Sequence, residues 1–250
     1  MMNRSEYHIR IAKGEMPQRV LLPGDPGRAK AIAHTYFDNP SEVARNREYW
    51  SFKGEYDGIE VGVCSTGIGC PSAAIAIEEL VKVGCKSFIR VGSAGAIDRT
   101  LSAGDLVIFS GSVRDDGTSV QYVPIEYPAV ADPVMVQSLA RAAERRNAPY
   151  RIGIGHSKDA FYSEHPDMVS NPTALKQKWK SMERVGVLAT EMESAVLFVL
   201  GHLRKVRVGT VCVIIGEPIQ NKAEITEKPK LEHLVPVALD AITATDIDLT

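Results

Sequence analysis

The chain has 250 residues, of which 29 are basic and 31 acidic, giving a formal charge of −2 with no long block of either sign. That balance argues against a dedicated nucleic-acid surface and gives no reason to expect binding to an anionic membrane. No apolar run reaches the ~18 residues a membrane span needs, and the start MMNRSEYHIR lacks a signal-peptide core, so a cytoplasmic protein is expected.

In chain order, RVLLPGDPG (19–27) reads as a strand running into a loop. Pro26-Gly27 suits the centre of a type II turn; alternatively, the glycine amides approach an anion beside Arg28. In ARNREYW (44–50), Arg47 reads on composition as a solvated charge, and His8 as an exposed histidine in a short tail. VGVCSTGIG (61–69) is a second strand entering a glycine loop, and a helix opens at Pro71-Ser72. Ile77, Leu80, Val81 and Gly84 then fall on one helical face. The free amides at such a helix start suit phosphate.

SFIRVGSAG (87–95) reads as a strand ending in a glycine-punctuated turn. It carries Arg90 among apolar neighbours, and a buried guanidinium requires a partner. One reading pairs Arg90 with Glu78 or Glu79. The other gives it, with Ser93, to a bound phosphate. LVIFSGS (106–112) is a further strand, YVPIEYPAVADP (122–133) a proline-rich loop, and 134–147 an amphipathic helix. RIGIGHS (151–157) and VGTVCVIIG (208–216) complete the strands. In TEMESAVLFVLGHLR (190–204), Met192, Ala195, Val196 and Val199 share a face. Thr190-x-x-Glu193 matches a capping box, which is the first reading; the alternative is a first-turn glutamate that accepts from a sugar diol.

Several strands are apolar on consecutive residues, as expected when both faces are covered. Together with the intervening helices, they predict one α/β domain, 1–250, around a mostly parallel or mixed sheet. Cys64, Cys70, Cys85 and Cys212 show no C-x-x-C spacing, and there is no H-E-x-x-H helix, so neither a disulfide framework nor structural zinc is expected. The glycine loops fit neither the dinucleotide fingerprint nor a P-loop.

Taken together, PGDPGR, NREY, STGIGCPSAAIAIEEL, FIRVGSAGAI, SVRDDGTS, EYPAVAD, KDAFY and EMESA resemble the nucleoside phosphorylase family. That family includes uridine phosphorylases and hexameric purine nucleoside phosphorylases, and the similarity is greatest to the uridine type. The resemblance implies a twisted mixed sheet flanked by helices and a pentosyltransferase, which splits a nucleoside reversibly with inorganic phosphate and no organic cofactor. It also implies a homo-oligomer, a dimer or a hexamer of dimers. By motif match, Gly24, Arg28, Arg90 and Ser93 would bind phosphate, with Arg47 reaching in from the adjacent subunit. His8 of that neighbour would meet the sugar 5′-hydroxyl, Met192 would pack on the ribose, and Glu193 would hold its hydroxyls. Phe161 would stack on the base. Glu48, Ile68 and Ser72 match positions that hold a monovalent cation in some relatives.

The base end departs from the pattern. Where uridine phosphorylases carry a glutamine and an arginine after FY, the text here is FYSEHPDM (161–168), with Glu164 and His165 and no arginine. After the last strand, IIGEPIQN (214–221) offers Glu217 and Gln220 instead of an arginine. It also lacks the aspartate with which hexameric purine phosphorylases protonate N7. Uridine remains the first expectation and a purine nucleoside the alternative. A hydrolytic nucleosidase and a catalytically silent nucleoside-binding or assembly subunit complete the set.

Overall fold

The computed structural model describes residues 5–216 and 232–244. The elements run β1 (Arg19–Leu22), α1 (Pro26–Tyr36), β2 (Asp38–Asn46), β3 (Tyr49–Tyr56), β4 (Ile59–Cys64), α2 (Cys70–Val83) and β5 (Ser87–Ala96). They continue as β6 (Leu106–Asp115), α3 (Ser119–Tyr122), β7 (Ala129–Val130), α4 (Pro133–Arg145), β8 (Tyr150–Lys158) and α5 (Pro172–Arg184). β9 (Ala189–Glu191), α6 (Ser194–Arg204), β10 (Arg207–Ile214) and α7 (Leu234–Ile242) follow.

The ten strands among the described residues join one mixed sheet, in the order β10-β6-β8-β9-β5-β1-β4-β3-β2, with β7 beside β6. β10 also pairs in parallel with β5, so β5, β9, β8, β6 and β10 close into a ring. β5 makes closure possible because it is long. Its first half, Ser87–Arg90, pairs with β1, and its far end, Gly95–Ala96, pairs with β9. The strands β1, β4, β3 and β2 extend from that ring as an open sheet.

Helices cover both faces. The α2 and α6 side chains, among them Ile77, Leu80, Val196 and Phe198, pack with Phe88 in one core cluster. Those of α1, α4 and α7, such as Ile32, Leu139 and Val237, pack with Ile89 and Val91 in the other. The consecutive apolar residues of β5 therefore serve two layers. Alternation places Arg90 on the Phe88 side, toward α2 and α6.

Three local expectations are corrected. Pro26-Gly27 is not a turn centre. Asp25 caps α1, accepting from the amides of Gly27 at 2.5 Å and Arg28 at 3.2 Å, and Pro26 opens the helix. The GSAGA stretch is not a turn either, because β5 runs through Ser93 to Ala96, paired residue by residue with β10 as far as Ala94. The 122–133 stretch is not wholly loop: it closes α3 and contributes the short strand β7, which pairs with Gly111 and Ser112.

At Gly155 on β8, an added Cβ would lie 2.0 Å from the ring of the fully buried Phe109 on β6. Gly155→Ala is therefore expected to lower stability by about 1–3 kcal/mol through overpacking, read from the urea unfolding midpoint. An unchanged midpoint would mean that Phe109 has room to move.

Candidate active site

The ends of β1, β5, β8, β9 and β10 and the starts of α1, α2 and α6 surround a cavity of about 930 Å³. Arg90 is its most constrained member, 4% exposed. Its Nε donates to Glu191 at 2.7 Å, and its outer nitrogen pairs with Glu193. Gly92 makes room for it, since a Cβ there would meet the guanidinium and the Cys212 sulfur at 2.9 Å each.

The capping-box expectation fails on chemistry. Thr190 lies in β9, and its hydroxyl faces His156 Nδ1 and Lys158 Nζ, each at 2.9 Å. The α6 start is capped by Glu191, which accepts from the amides of Glu193 at 2.9 Å and Ser194 at 3.0 Å and from the Ser157 hydroxyl. Glu193 accepts instead from the Gly69 amide at 2.6 Å, so an amide at the α2 start expected for an anion serves this carboxylate. The Glu78 and Glu79 alternatives for Arg90 are also overturned. Glu78 pairs with Arg204 and Glu79 with His8.

Burial alone would lower the Arg90 pKa, but Glu193 and Glu191 outweigh it and raise it. Burial likewise pushes Glu191 upward, yet Arg90, Ser157 and two amides hold it below the ordinary carboxylate range. Glu193 is raised, by burial first and also by its neighbour Glu191. Arg28 lies nearby, with its Nη1 donating to the Val91 carbonyl at 3.2 Å, and its pKa is lowered by burial and by Arg90.

Gly24, Arg28, Arg90 and Ser93 all line the cavity, as do Met192 and Glu193. So do Phe161, Glu164 and His165, which lie on or beside the short 3-10 turn Tyr162–Glu164. Glu48, Ile68 and Ser72 line it too, with Ser72 Oγ donating to Glu48 at 2.9 Å. His8 and Arg47 do not line the cavity. The His8 ring is fixed through Nδ1 to Glu79 at 2.7 Å, and Arg47 is exposed at the β2–β3 turn with φ 53°. Glu217 and Gln220 lie outside the described residues.

Glu191 and Lys158 are among the lining residues that sequence reasoning missed. Glu191 was signalled only by a second carboxylate two positions before Glu193, directly after an apolar strand. Lys158 was signalled by a lysine closing the apolar β8. It is 5% exposed and pairs with Glu164 at 2.5 Å as well as with Thr190. All four cysteines are buried and free, and among the described residues no group of three or more His, Cys, Asp or Glu could hold a metal ion. No described helix is long and apolar enough to cross a membrane.

Glu191→Ala leaves Arg90 with a broken buried pair and uncaps α6, so a stability loss of about 3–5 kcal/mol is expected from urea unfolding. Glu191→Gln keeps an acceptor and should lose less. A loss below about 1 kcal/mol in the alanine variant would show that water reaches the guanidinium.

Comparison with known proteins agrees with this geometry. A family model described as the phosphorylase superfamily matches residues 18–238. A uridine phosphorylase of Treponema pallidum is 40% identical over 240 residues, spanning 95% of this chain and 93% of its own. A guanosine phosphorylase of Halorubrum lacusprofundi is 37% identical, spanning 95% and 98%. The crystal structure of uridine phosphorylase from Vibrio fischeri superposes with a TM-score of 0.84 at 30% identity, covering 97% of each chain. With the family model covering most of its length and a relative 40% identical over 95% of it, the chain belongs to the phosphorylase superfamily.

Proposed function

We propose that the protein is a uridine phosphorylase, which transfers the ribosyl group of uridine reversibly to inorganic phosphate, giving uracil and ribose 1-phosphate. One observation carries the reading: two neighbouring guanidiniums, the half-buried Arg28 and the buried Arg90, face a single cavity with Gly24, Ser93 and the carboxylate of Glu193. Two neighbouring cations raise each other's cost of burial, and a small anion bound between them relieves it. The full-length similarity to uridine phosphorylases supports uridine as the substrate.

On this reading, phosphate lies against Arg28, Arg90, Ser93 and the Gly24 backbone. Glu191 keeps the Nε edge of Arg90, so the guanidinium holds its orientation while the outer N–H groups that Glu193 does not take turn to the anion. Glu193 accepts from the ribose hydroxyls, and Met192 packs on the sugar. A phosphate oxygen attacks C1′ as the bond to the base lengthens, in a transition state with positive charge on the sugar and negative charge on the base. Phe161 stacks on the base. No step needs an organic cofactor.

The working unit is a homo-oligomer of single-domain chains, a dimer or a hexamer of dimers, in which Arg47 and His8 of one subunit complete the neighbour's site. The exposure of Tyr7, Arg47 and Ile68 supports this arrangement. Glu48, Ile68 and Ser72 supply oxygen donors that suit a monovalent cation at the interface. The pairing of Ser72 with Glu48 brings two of these donors together.

Uracil and ribose 1-phosphate should form from uridine only when phosphate is present. Arg28→Ala should raise the KM for phosphate about tenfold or more, the scale of a lost charge-assisted hydrogen bond. Equal uracil release in phosphate-free buffer would overturn the reading in favour of hydrolysis. Refolding Arg47→Ala together with Arg28→Ala should give, at low phosphate, more activity than either variant shows alone, because a mixed dimer contains one intact site. Failure of this complementation would place Arg47 outside the neighbour's site.

A further inference from the structure

Lys158 and Glu164 are charges at the cavity wall that the phosphate and ribose chemistry leaves unused. Lys158 is held tightly. Its ammonium donates to Thr190 Oγ1 at 2.9 Å and to Glu164 Oε1 at 2.5 Å. Thr190 is in turn backed by the fully buried His156, whose Nε2 faces Asp115 at 2.9 Å, and Asp115 pairs with Lys178. Lys158 is thus the inner end of a hydrogen-bonded chain that fixes its position. Glu164 sits on the same short turn as Phe161, its amide donating to the Phe161 carbonyl at 3.3 Å, and both side chains line the cavity.

An ammonium has three N–H donors, and Thr190 and Glu164 take two of Lys158's. The third is suited to a carbonyl oxygen in the cavity. A carboxylate only accepts, and its two oxygens can receive two parallel N–H bonds. The wall therefore offers one donor beside two acceptors. Guanine presents the complement on one edge, with O6 accepting and N1–H and the 2-amino group donating. Uracil offers O4 and N3–H but then O2, a second acceptor facing a carboxylate oxygen. Hypoxanthine has nothing at the third position. The cavity of about 930 Å³ has space for a two-ring base.

Building on the phosphorolysis reading above, we propose that Lys158 and Glu164 form a base-reading pair selective for 2-amino-6-oxopurines, so that the same site cleaves guanosine as well as uridine. A phosphate oxygen forms the bond to C1′ as the C1′–N9 bond breaks, and the electron pair leaves with the purine. The charge spreads to O6 against the Lys158 ammonium. The hydrogen phosphate ester formed then gives its proton through solvent to the purine anion, leaving guanine and ribose 1-phosphate.

The test measures kcat/KM for guanosine, inosine and uridine with saturating phosphate, in the native enzyme and in Glu164→Gln. The native enzyme should release guanine and prefer guanosine over inosine by about tenfold or more, the scale of one hydrogen bond to a charged acceptor. Glu164→Gln should lower the guanosine-to-uridine ratio at least about tenfold, because an amide replaces one acceptor with a donor. Uracil release without guanine release, equal use of guanosine and inosine, or an unchanged ratio in the variant would each overturn the pair and leave the uridine reading intact. Release of neither base would overturn both.

Discussion

A guanidinium sealed between two carboxylates is costly to assemble, because each charge loses its water before it gains a partner. Arg90 meets that cost through Glu191, which in turn is held by Ser157 and by the first amides of α6. One side chain from β5, one from β8 and the β9–α6 junction are thereby fixed to each other. Glu193, paired with the outer edge of Arg90, is tied through the Gly69 amide to the start of α2. Removing any one of these groups would leave another buried and unpaired, so the cluster permits very few arrangements of the surrounding strands.

The ring of strands and this cluster depend on each other. β5 can join β1, β9 and β10 only by continuing as an extended strand past Arg90, through Gly92 and Ser93. That same extension carries Ser93 to the cavity wall and lets the guanidinium lie over a residue with no side chain. Glycines that suggest a turn on composition serve here as the part of a strand where other groups approach closely.

Much of the fold was legible because apolar runs and proline-marked helix starts are local signals. The β5, β6, β8 and β10 runs and the helices α2 and α4 fall where the periodicity put them, while α6 starts only at Ser194, because Ala189–Glu191 form β9. The β2–β3 hairpin gave little signal, since DNPSEVARN is exposed or half-buried along its whole length and lacks an inward apolar face. α1 was hidden because Pro-Gly suits a turn as well as a helix start, and only Ala29, Ile32 and Ala33 of that helix are buried. Within the site, Arg90 and Glu193 stood out as residues needing explanation, yet local spacing assigned Glu193 the wrong partner and offered Arg90 the wrong carboxylates. The true partners are 101 and 124 residues away along the chain, as with Arg90–Glu191 and Gly69–Glu193, and only the topology brings them together. Lys158 shows the same limit. Its pairing with Glu164 is nearly local, but its hold on Thr190 spans 32 residues and requires β8 and β9 to be neighbours.

The open end of the sheet has a separate consequence. β2 lies last in the strand order, and it contains Pro40, two register irregularities against β3 and the exposed charges Asp38, Glu42 and Arg45. Proline removes a backbone donor, irregular register bends the edge, and charges keep it hydrated. A second chain therefore finds no straight ladder to extend there. The open end of the sheet is thereby guarded against edge-to-edge aggregation.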